Sequence, residues 1–193
     1  MVQKLMMLMR ALLCVLSSVL ISATLVGTGA VRADTSLAGM RLASTAGASS
    51  ELPMADRVLV RKSERKLYLY HRGVIVREYP VRLGLQPEGP KQYEGDYRTP
   101  EGRYHLGRRN PQSQYFLSVQ VDYPNERDIA RAKKLKEQPG GAIMVHGLPN
   151  TPTKVADYYK TFDWTDGCIA LNNSDMVEFW LMTRAGIPID IQP

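Results

Sequence analysis

A hairpin signal near the start of the folded region constrains the architecture most. Residues 66–71 and 74–79 are short segments rich in apolar, β-branched and aromatic side chains, and only Arg72-Gly73 separates them. Two such segments joined by a two-residue turn that contains glycine are typical of an antiparallel β-hairpin. We therefore expect the fold to begin with paired strands.

Further strand and helix signals follow along the chain. Strands are predicted at residues 57–61, 103–107, 115–121, 142–146 and 187–191, with an extended continuation at 81–84. Helical spacing predicts one helix at 126–137, anchored by Ile129 and Leu135, and a second at 176–184 after a cap in 173–175. Residues 86–102 hold three prolines and three glycines, which predict a long loop, either ordered or disordered. Many strands and few helices predict a mainly β fold.

The N-terminal residues have the layout of a secretory signal peptide. Lys4 and Arg10 precede an almost wholly apolar run at 11–26, and Val31-Arg32-Ala33 fits a small-x-small cleavage site. The alternative is an uncleaved membrane anchor, although the run is shorter than the roughly 20 residues that a span requires. We predict a signal peptide at 1–33, a flexible linker at 34–55, one domain at 56–193, and export to the periplasm.

The charge pattern of the chain does not indicate nucleic-acid binding. Removal of residues 1–33 takes away Lys4, Arg10 and Arg32 and no acid, so the formal charge falls from +6 to +3. The basic run at 131–136 is short and flanked by acids, as expected of a solvated helix face. A mild positive excess suits an anionic polymer such as cell wall.

Cys168 and His146 are the candidate catalytic residues. Without the leader, which contains Cys14, Cys168 is the only thiol of the chain, so it has no disulfide partner within it. A thiol becomes nucleophilic as thiolate, and a nearby imidazole can accept its proton. Gly147 lets another segment approach and leaves its carbonyl to orient the imidazole, whereas Gly167 permits a sharp turn with N–H groups free to face an oxyanion. Each residue has a plainer alternative: a buried inert thiol and a strand-end histidine.

Other polar residues offer weaker candidates. His71 and His105 are interpreted as ordinary half-buried histidines, and the scattered His and Cys residues give no short-spaced ligand pair, so neither metal nor cofactor is expected. The two carboxylates nearest the thiol, Asp163 and Asp166, could orient the imidazole or contact a substrate amine. Trp164 either walls a cleft or packs in the core.

Several separated motifs resemble the L,D-transpeptidase catalytic domain (YkuD-type) family. His146-Gly147, seventeen further residues and then Thr165-Asp166-Gly167-Cys168-Ile169-Ala170-Leu171 are similar to the family signature, and residues 95–104 are similar to its Thr-Pro-x-Gly segment. The resemblance covers residues 56–192. Asp166 and Ala170 stand where the family usually has His and Arg, so the chain is similar to a divergent branch whose members include hydrolases.

The resemblance implies a β-sandwich of mixed strands with a few short helices and a thioester mechanism at Cys168. The implied substrate is a peptidoglycan stem peptide, with Thr165, Asp166, Tyr104 and Arg98 as candidate substrate contacts. The departures leave three functions open: transpeptidation, including protein attachment to the wall; hydrolysis by a carboxypeptidase or by an amidase that releases wall-linked protein; and wall binding without catalysis. A wall-anchored lipoprotein is a further candidate partner.

Overall fold

The computed structural model describes residues 52–193. The predicted signal peptide and residues 34–51 of the predicted linker lie outside this range. Ala55, the last residue of that linker, is buried, and its amide donates a hydrogen bond to the Met182 carbonyl at 2.8 Å. The packed domain therefore includes Ala55.

Within the described residues, eight strands form one mixed sheet in the order β3-β2-β1-β8-β4-β5-β6-β7. The mainly β fold of mixed strands with a few short helices is confirmed. The strands are β1 (Arg57–Arg61), β2 (Lys66–His71), β3 (Val74–Pro80), β4 (Gly102–Ser113), β5 (Phe116–Val121), β6 (Met144–His146), β7 (Ile169–Ala170) and β8 (Pro188–Gln192).

The predicted hairpin is confirmed as β2 and β3. Arg72 and Gly73 both have positive φ angles, of 51° and 81°, which is the geometry of the tight turns that match strand twist. β1 pairs antiparallel with β2 on one side and parallel with β8 on the other. The last strand of the chain thus lies in the middle of the sheet, beside the first.

The long strand β4 connects the two halves of the sheet. Its first residues pair with β8 and its later residues pair with β5. Buried side chains from both halves, such as Val60 and Leu69 on one and Val119 and Val145 on the other, belong to one hydrophobic cluster. Both halves therefore face one core, and this arrangement buries the apolar side of each.

The chain after β3 reaches the opposite end of the sheet. Arg82 forms an antiparallel bridge with Ala170 of β7, and Gly84 forms a parallel bridge with Thr165. These bridges cover an otherwise open strand edge. They also place the 82–84 segment directly against residues on both sides of Cys168.

Three helices complete the described region: α1 (Glu126–Lys134), α2 (Ala156–Thr161) and α3 (Asn173–Met182). Helix α3 starts after Asn172, whose side chain accepts from the Asp175 amide, so the cap lies one residue before the predicted segment. α3 buries Met176, Phe179 and Met182 in the core. Among residues 52–193, no helix combines the length and apolar character needed to cross a membrane.

The predicted apolar anchors of α1 are wrong. Ile129 and Leu135 are both 49% exposed, whereas the buried residues of the helix are Asp128 and Ala132. The Asp128 carboxylate accepts from the Tyr104 hydroxyl at 2.9 Å and from the Asn125 amide at 3.0 Å. Polar contacts at its first turn therefore attach α1 to the sheet, and hydrophobic spacing cannot reveal such contacts.

Candidate active site

Cys168 and His146 line the same cavity, which has a volume of about 320 Å³. We call it the thiol cavity. The residues that line it are Asn110, Ser113, Gln114, Tyr115, Ser118, Ala142, Met144, His146, Trp164, Thr165, Asp166 and Cys168. They come from the end of β4 and the β4–β5 turn, from β5, from β6 and the residues just before it, and from the segment before β7. Sheet pairing thus brings together residues that are distant in sequence.

Strand β6 fixes the position of His146. Its backbone pairs with Ser118 of β5 on one side and with Ala170 of β7 on the other. The side chain is only 4% exposed, and Nδ1 lies 2.7 Å from the Gly147 carbonyl oxygen. We assign the proton to Nδ1, which donates to that carbonyl, so Nε2 has a lone pair that can accept a proton.

Gly147 allows close packing behind the imidazole. A Cβ atom at this position would lie 2.7 Å from Asn173 Oδ1 and 3.0 Å from Phe116 Cβ. The Gly147 amide donates to the carbonyls of Tyr115 and Leu117, each at 3.1 Å. Close packing and hydrogen bonds thus fix the backbone of Gly147, whose carbonyl orients His146.

Two aromatic rings form a wall against His146. The Tyr115 ring centroid lies 4.6 Å from that of the imidazole, and the Trp164 ring meets it edge-on at 5.6 Å. Tyr159 in turn packs edge-on against Trp164 at 5.1 Å. Trp164 therefore both packs against its neighbours and walls the cavity. The sequence left these as alternatives, and the structure shows both.

A turn closed by Thr165 presents Cys168. Thr165 Oγ1 donates to the Cys168 carbonyl at 2.8 Å and accepts from the Gly167 amide at 3.2 Å. The Gly167 amide is therefore used inside the turn, so it is not among the N–H groups that the sequence predicts to be free to face an oxyanion. The half-buried Cys168 thiol lies 3.6 Å from the Ala142 carbonyl oxygen.

Burial shifts the pKa of both candidate catalytic groups toward their neutral forms. It lowers the pKa of His146 to about 4, opposed by the hydrogen bond to Gly147. It also raises the pKa of the Cys168 thiol; the charge of Asp166 acts in the same direction, and the Met144 amide and the Lys91 ammonium oppose it. At neutral pH these shifts favour a neutral thiol and a neutral imidazole.

The 86–102 loop packs against the Cys168 turn through backbone atoms. A Cβ atom on Gly167 would lie 2.7 Å from the Arg98 carbonyl oxygen, and one on Gly84 would lie 2.1 Å from the Tyr97 carbonyl oxygen. Gly167 also has a φ angle of 130°, a conformation that residues with a side chain rarely adopt. These glycines allow three backbone segments to meet beside the thiol.

The buried carboxylate of Asp96 orders this loop. It accepts from the Lys91 ammonium at 2.7 Å and from the amides of Gln92, Tyr93 and Arg98. Only 4% of each side chain in the Lys91–Asp96 pair is exposed. The loop, which the sequence left as ordered or disordered, is thus organised around this ion pair and around the buried Lys62 ammonium, which pairs with Glu101 at 2.8 Å.

Of the four candidate substrate contacts, two line the thiol cavity and two do not. Asp166 is exposed and lines the thiol cavity, and Thr165 lines it while its hydroxyl closes the turn. The Arg98 side chain is directed toward Gly89, away from the lining. Tyr104 is 1% exposed because β4 alternates and directs it into the core, so we assign it a structural role.

The sequence does not reveal most of the polar wall of the cavity. Asn110, Ser113, Gln114 and Ser118 carry no motif signal, since their position depends on the β4–β5 turn. Tyr115 is predicted only as part of a strand. His71 and His105 lie outside the cavity, with their rings next to Met54 and Asp122, and no group of three metal-ligating side chains occurs in residues 52–193.

Comparison with known proteins identifies the family. Residues 55–191 match the family model of the L,D-transpeptidase catalytic domain, YkuD. YafK of Escherichia coli strain K12, whose name describes a candidate L,D-transpeptidase, is 30% identical over 96 residues, which are 47% of this chain and 37% of YafK.

Solved structures agree with that match. The crystal structure of the helical cell shape determining protein Pgp2 from Campylobacter jejuni has a TM-score of 0.53 and 28% identity, covering 74% of this chain and 51% of that chain. A point mutant of Pgp2 gives the same TM-score at 30% identity, covering 72% of this chain and 47% of that chain. The chain thus spans about half or less of these relatives. Because the family match extends over most of its own length, this protein belongs to the L,D-transpeptidase catalytic domain (YkuD) family.

Proposed function

We propose that this protein is a cysteine acyltransferase of the L,D-transpeptidase type that acts on peptidoglycan stem peptides through a thioester at Cys168. One observation supports this most: Cys168 and His146 line one cavity, and the hydrogen bond of His146 to Gly147 leaves Nε2 as a proton acceptor. Family membership supplies the substrate class.

The first half-reaction forms the thioester. Nε2 of His146 takes the thiol proton, and Sγ attacks the carbonyl carbon of the third stem residue, so a C–S bond forms and the carbonyl oxygen becomes negative. The Gly167 amide is engaged by Thr165, which makes the Cys168 amide the candidate donor to that oxygen. The C–N bond then breaks, and His146 returns its proton to the amine of the departing D-alanine.

The second half-reaction decides the product. An amine acceptor that attacks the thioester gives a new amide, either a 3–3 cross-link between stems or a protein attached to the wall. Water instead gives a carboxylate, which is carboxypeptidase activity, or amidase activity if the departing group was a wall-linked protein. Both routes regenerate the thiol and use the same two side chains.

The proposed location follows from the substrate. A stem peptide lies outside the cytoplasm, so the predicted signal peptide at residues 1–33 would deliver the domain to the periplasm. Export as a periplasmic protein and attachment or release of a wall-anchored lipoprotein belong to the same proposal.

Product analysis tests the function. The full chain is incubated with a disaccharide tetrapeptide, and the muropeptides are separated and identified by mass. Dimers with 3–3 linkage support transfer, and shortened stems alone support hydrolysis; both should vanish in Cys168→Ala. If the wild type yields neither product and its thiol resists alkylation near neutral pH, the domain is a binding module and the proposal is wrong.

A further inference from the structure

The lining of the thiol cavity includes one acidic side chain and no Lys or Arg. It also contains neutral amides, hydroxyls and aromatic rings, together with His146 and Cys168. Its one carboxylate is that of Asp166, two residues before the thiol. A substrate group that enters this cavity therefore meets a negative potential and no positive partner.

Asp166 differs from the nearby Asp163 in its contacts. Asp163 accepts from the Arg65 guanidinium at 3.0 Å and from the Leu83 amide at 2.9 Å, so its charge is used within the fold. Asp166 is exposed, and no ion pair within 4.0 Å involves it among residues 52–193. The buried Lys91 ammonium, whose charge acts on Cys168, is already neutralised by Asp96. The Asp166 carboxylate thus remains available to a ligand.

We propose that Asp166 makes the thiol cavity select, among otherwise identical acyl donors, those that place an ammonium group beside its carboxylate, and favour cationic over anionic thiol reagents. The carboxylate of the departing D-alanine is common to all tetrapeptide donors, so it does not affect this comparison. The consequence for turnover rests on the proposed function, with an amine-bearing acyl donor as the substrate class. The preference for a cationic group depends only on the charges around the thiol, and it can be measured without the proposed reaction. It suits a cavity whose lining includes the Asp166 carboxylate and no Lys or Arg.

A bound ammonium group would also assist the thiol. Burial raises the pKa of Cys168, and the negative charge of Asp166 raises it further. A cation beside the carboxylate offsets this effect, so the thiolate forms more readily when the correct substrate is present. A substrate without the ammonium group is not attracted to Asp166 and does not offset the effect of its charge on the thiol.

Charged thiol reagents test the proposal without any substrate. The full chain with Cys14→Ser has Cys168 as its one thiol. Its rate of reaction is measured with trimethylammonioethyl methanethiosulfonate and with sulfonatoethyl methanethiosulfonate; in each case a mixed disulfide forms and methanesulfinate leaves. The cation-to-anion rate ratio of Cys168 is divided by the same ratio for free mercaptoethanol, which gives a normalised ratio. We expect a normalised ratio of about ten, which corresponds to about 1.4 kcal/mol.

Variants assign the effect to the carboxylate. Asp166→Asn should reduce the normalised ratio to about one, and Asp166→Glu should retain most of it. Asp157→Asn is the matched control, because Asp157 is an exposed carboxylate on α2, outside the lining, and should leave the ratio unchanged. A ratio that is equal in wild type and Asp166→Asn, or one that favours the anion, would overturn the proposal.

Salt provides a readout that needs no variant. The Debye length shortens from about 30 Å at 0.01 M to about 3 Å at 1 M salt, so the wild-type ratio should fall toward one over that range. A ratio that does not change with salt contradicts an electrostatic origin.

A peptide pair separates this inference from the function on which it rests. Two stem tetrapeptides differ only in acetylation of the side-chain amine of the third residue. Acetylation should lower kcat/KM about tenfold in wild type and much less in Asp166→Asn. If neither peptide is turned over while the reagent ratio stays high, the proposed function fails and the charge selectivity stands. If both are turned over equally by wild type, the assignment of the ammonium site fails.

Discussion

Nδ1 of His146 lies 2.7 Å from the carbonyl oxygen of the adjacent Gly147. This contact fixes the orientation of the ring at the end of β6 and leaves Nε2 as the nitrogen that can exchange a proton with the cavity. The ring is almost fully buried, and burial holds it in its neutral form. The proposed base and the stability of the domain are therefore linked.

The stability of the domain should fall in mildly acidic solution because of His146. Its pKa is about 4 in the folded protein and about 6.5 when exposed, so between these values the unfolded chain binds a proton that the folded chain does not. Stability is thus full above about pH 6.5 and is lost as the pH falls toward 4, by about 3 kcal/mol in total. Urea unfolding at pH 7.5 and 4.5 measures this loss.

His146→Gln supplies the control for that titration. The variant should show a clearly smaller decrease in the free energy of unfolding over the same pH interval, since it lacks the group that titrates. An identical decrease in both proteins would contradict a buried neutral imidazole.

Removal of the aromatic wall should raise the pKa of His146. Tyr115→Ala opens the face of the imidazole, whose ring centroid lies 4.6 Å from that of Tyr115, and water can then solvate the charged form. We expect the pKa to rise from about 4 toward its ordinary value. NMR titration of the His146 ring protons measures it, and Phe162→Ala, at an exposed aromatic position outside the cavity lining, should leave it unchanged.

Alanine at Gly84 or Gly167 should destabilise the domain. The new Cβ atoms would lie 2.1 Å and 2.7 Å from carbonyl oxygens of the 86–102 loop, and backbone atoms must move to accommodate them. We expect a loss of about 1–3 kcal/mol for each variant in denaturant unfolding. Gly141→Ala is the matched control, since a Cβ atom at this position would meet no other atom within 4 Å, and its effect should be under about 0.5 kcal/mol. Equal effects at all three positions would contradict the packing described.

Loss of Asp96 should be costly because it leaves the Lys91 ammonium buried without its partner. Asp96→Ala should lower the free energy of unfolding by about 3–5 kcal/mol. Glu78→Ala removes an exposed pair with Lys66 and should cost at most about 1 kcal/mol. Thermal unfolding of both variants makes the comparison, and similar losses would show that the Asp96 pair does not organise the loop.

The sequence was sufficient to predict those elements that a few neighbouring residues determine. Arg72-Gly73 predicted the hairpin because glycine readily adopts the positive φ angle that a two-residue turn requires. The predicted strand at 187–191 is shifted by one residue. The two-residue strand β7 and the short helix α2 carry too few residues for a recognisable period.

Long-range pairing decides the parts of the site that sequence did not reveal. Tyr115 and Trp164 are far apart in the chain and meet at His146 only because β5, β6 and β7 pair in that order. Tyr104 is in a motif-like segment, yet the alternation of β4 directs it into the core toward Asp128. Motifs indicated the two reacting groups, whereas the fold determines the surface around them.

The central claim is that the Cys168 sulfur becomes an acylated nucleophile with His146 as its base. Intact-mass spectrometry of the full chain, quenched in acid after mixing with a stem tetrapeptide, tests it directly. We predict an adduct of the tripeptide-acyl mass on Cys168, none in Cys168→Ala, and formation slowed about 10²–10⁴-fold in a folded His146→Gln variant. No adduct on the wild type, or formation at the wild-type rate without the imidazole, would contradict the account.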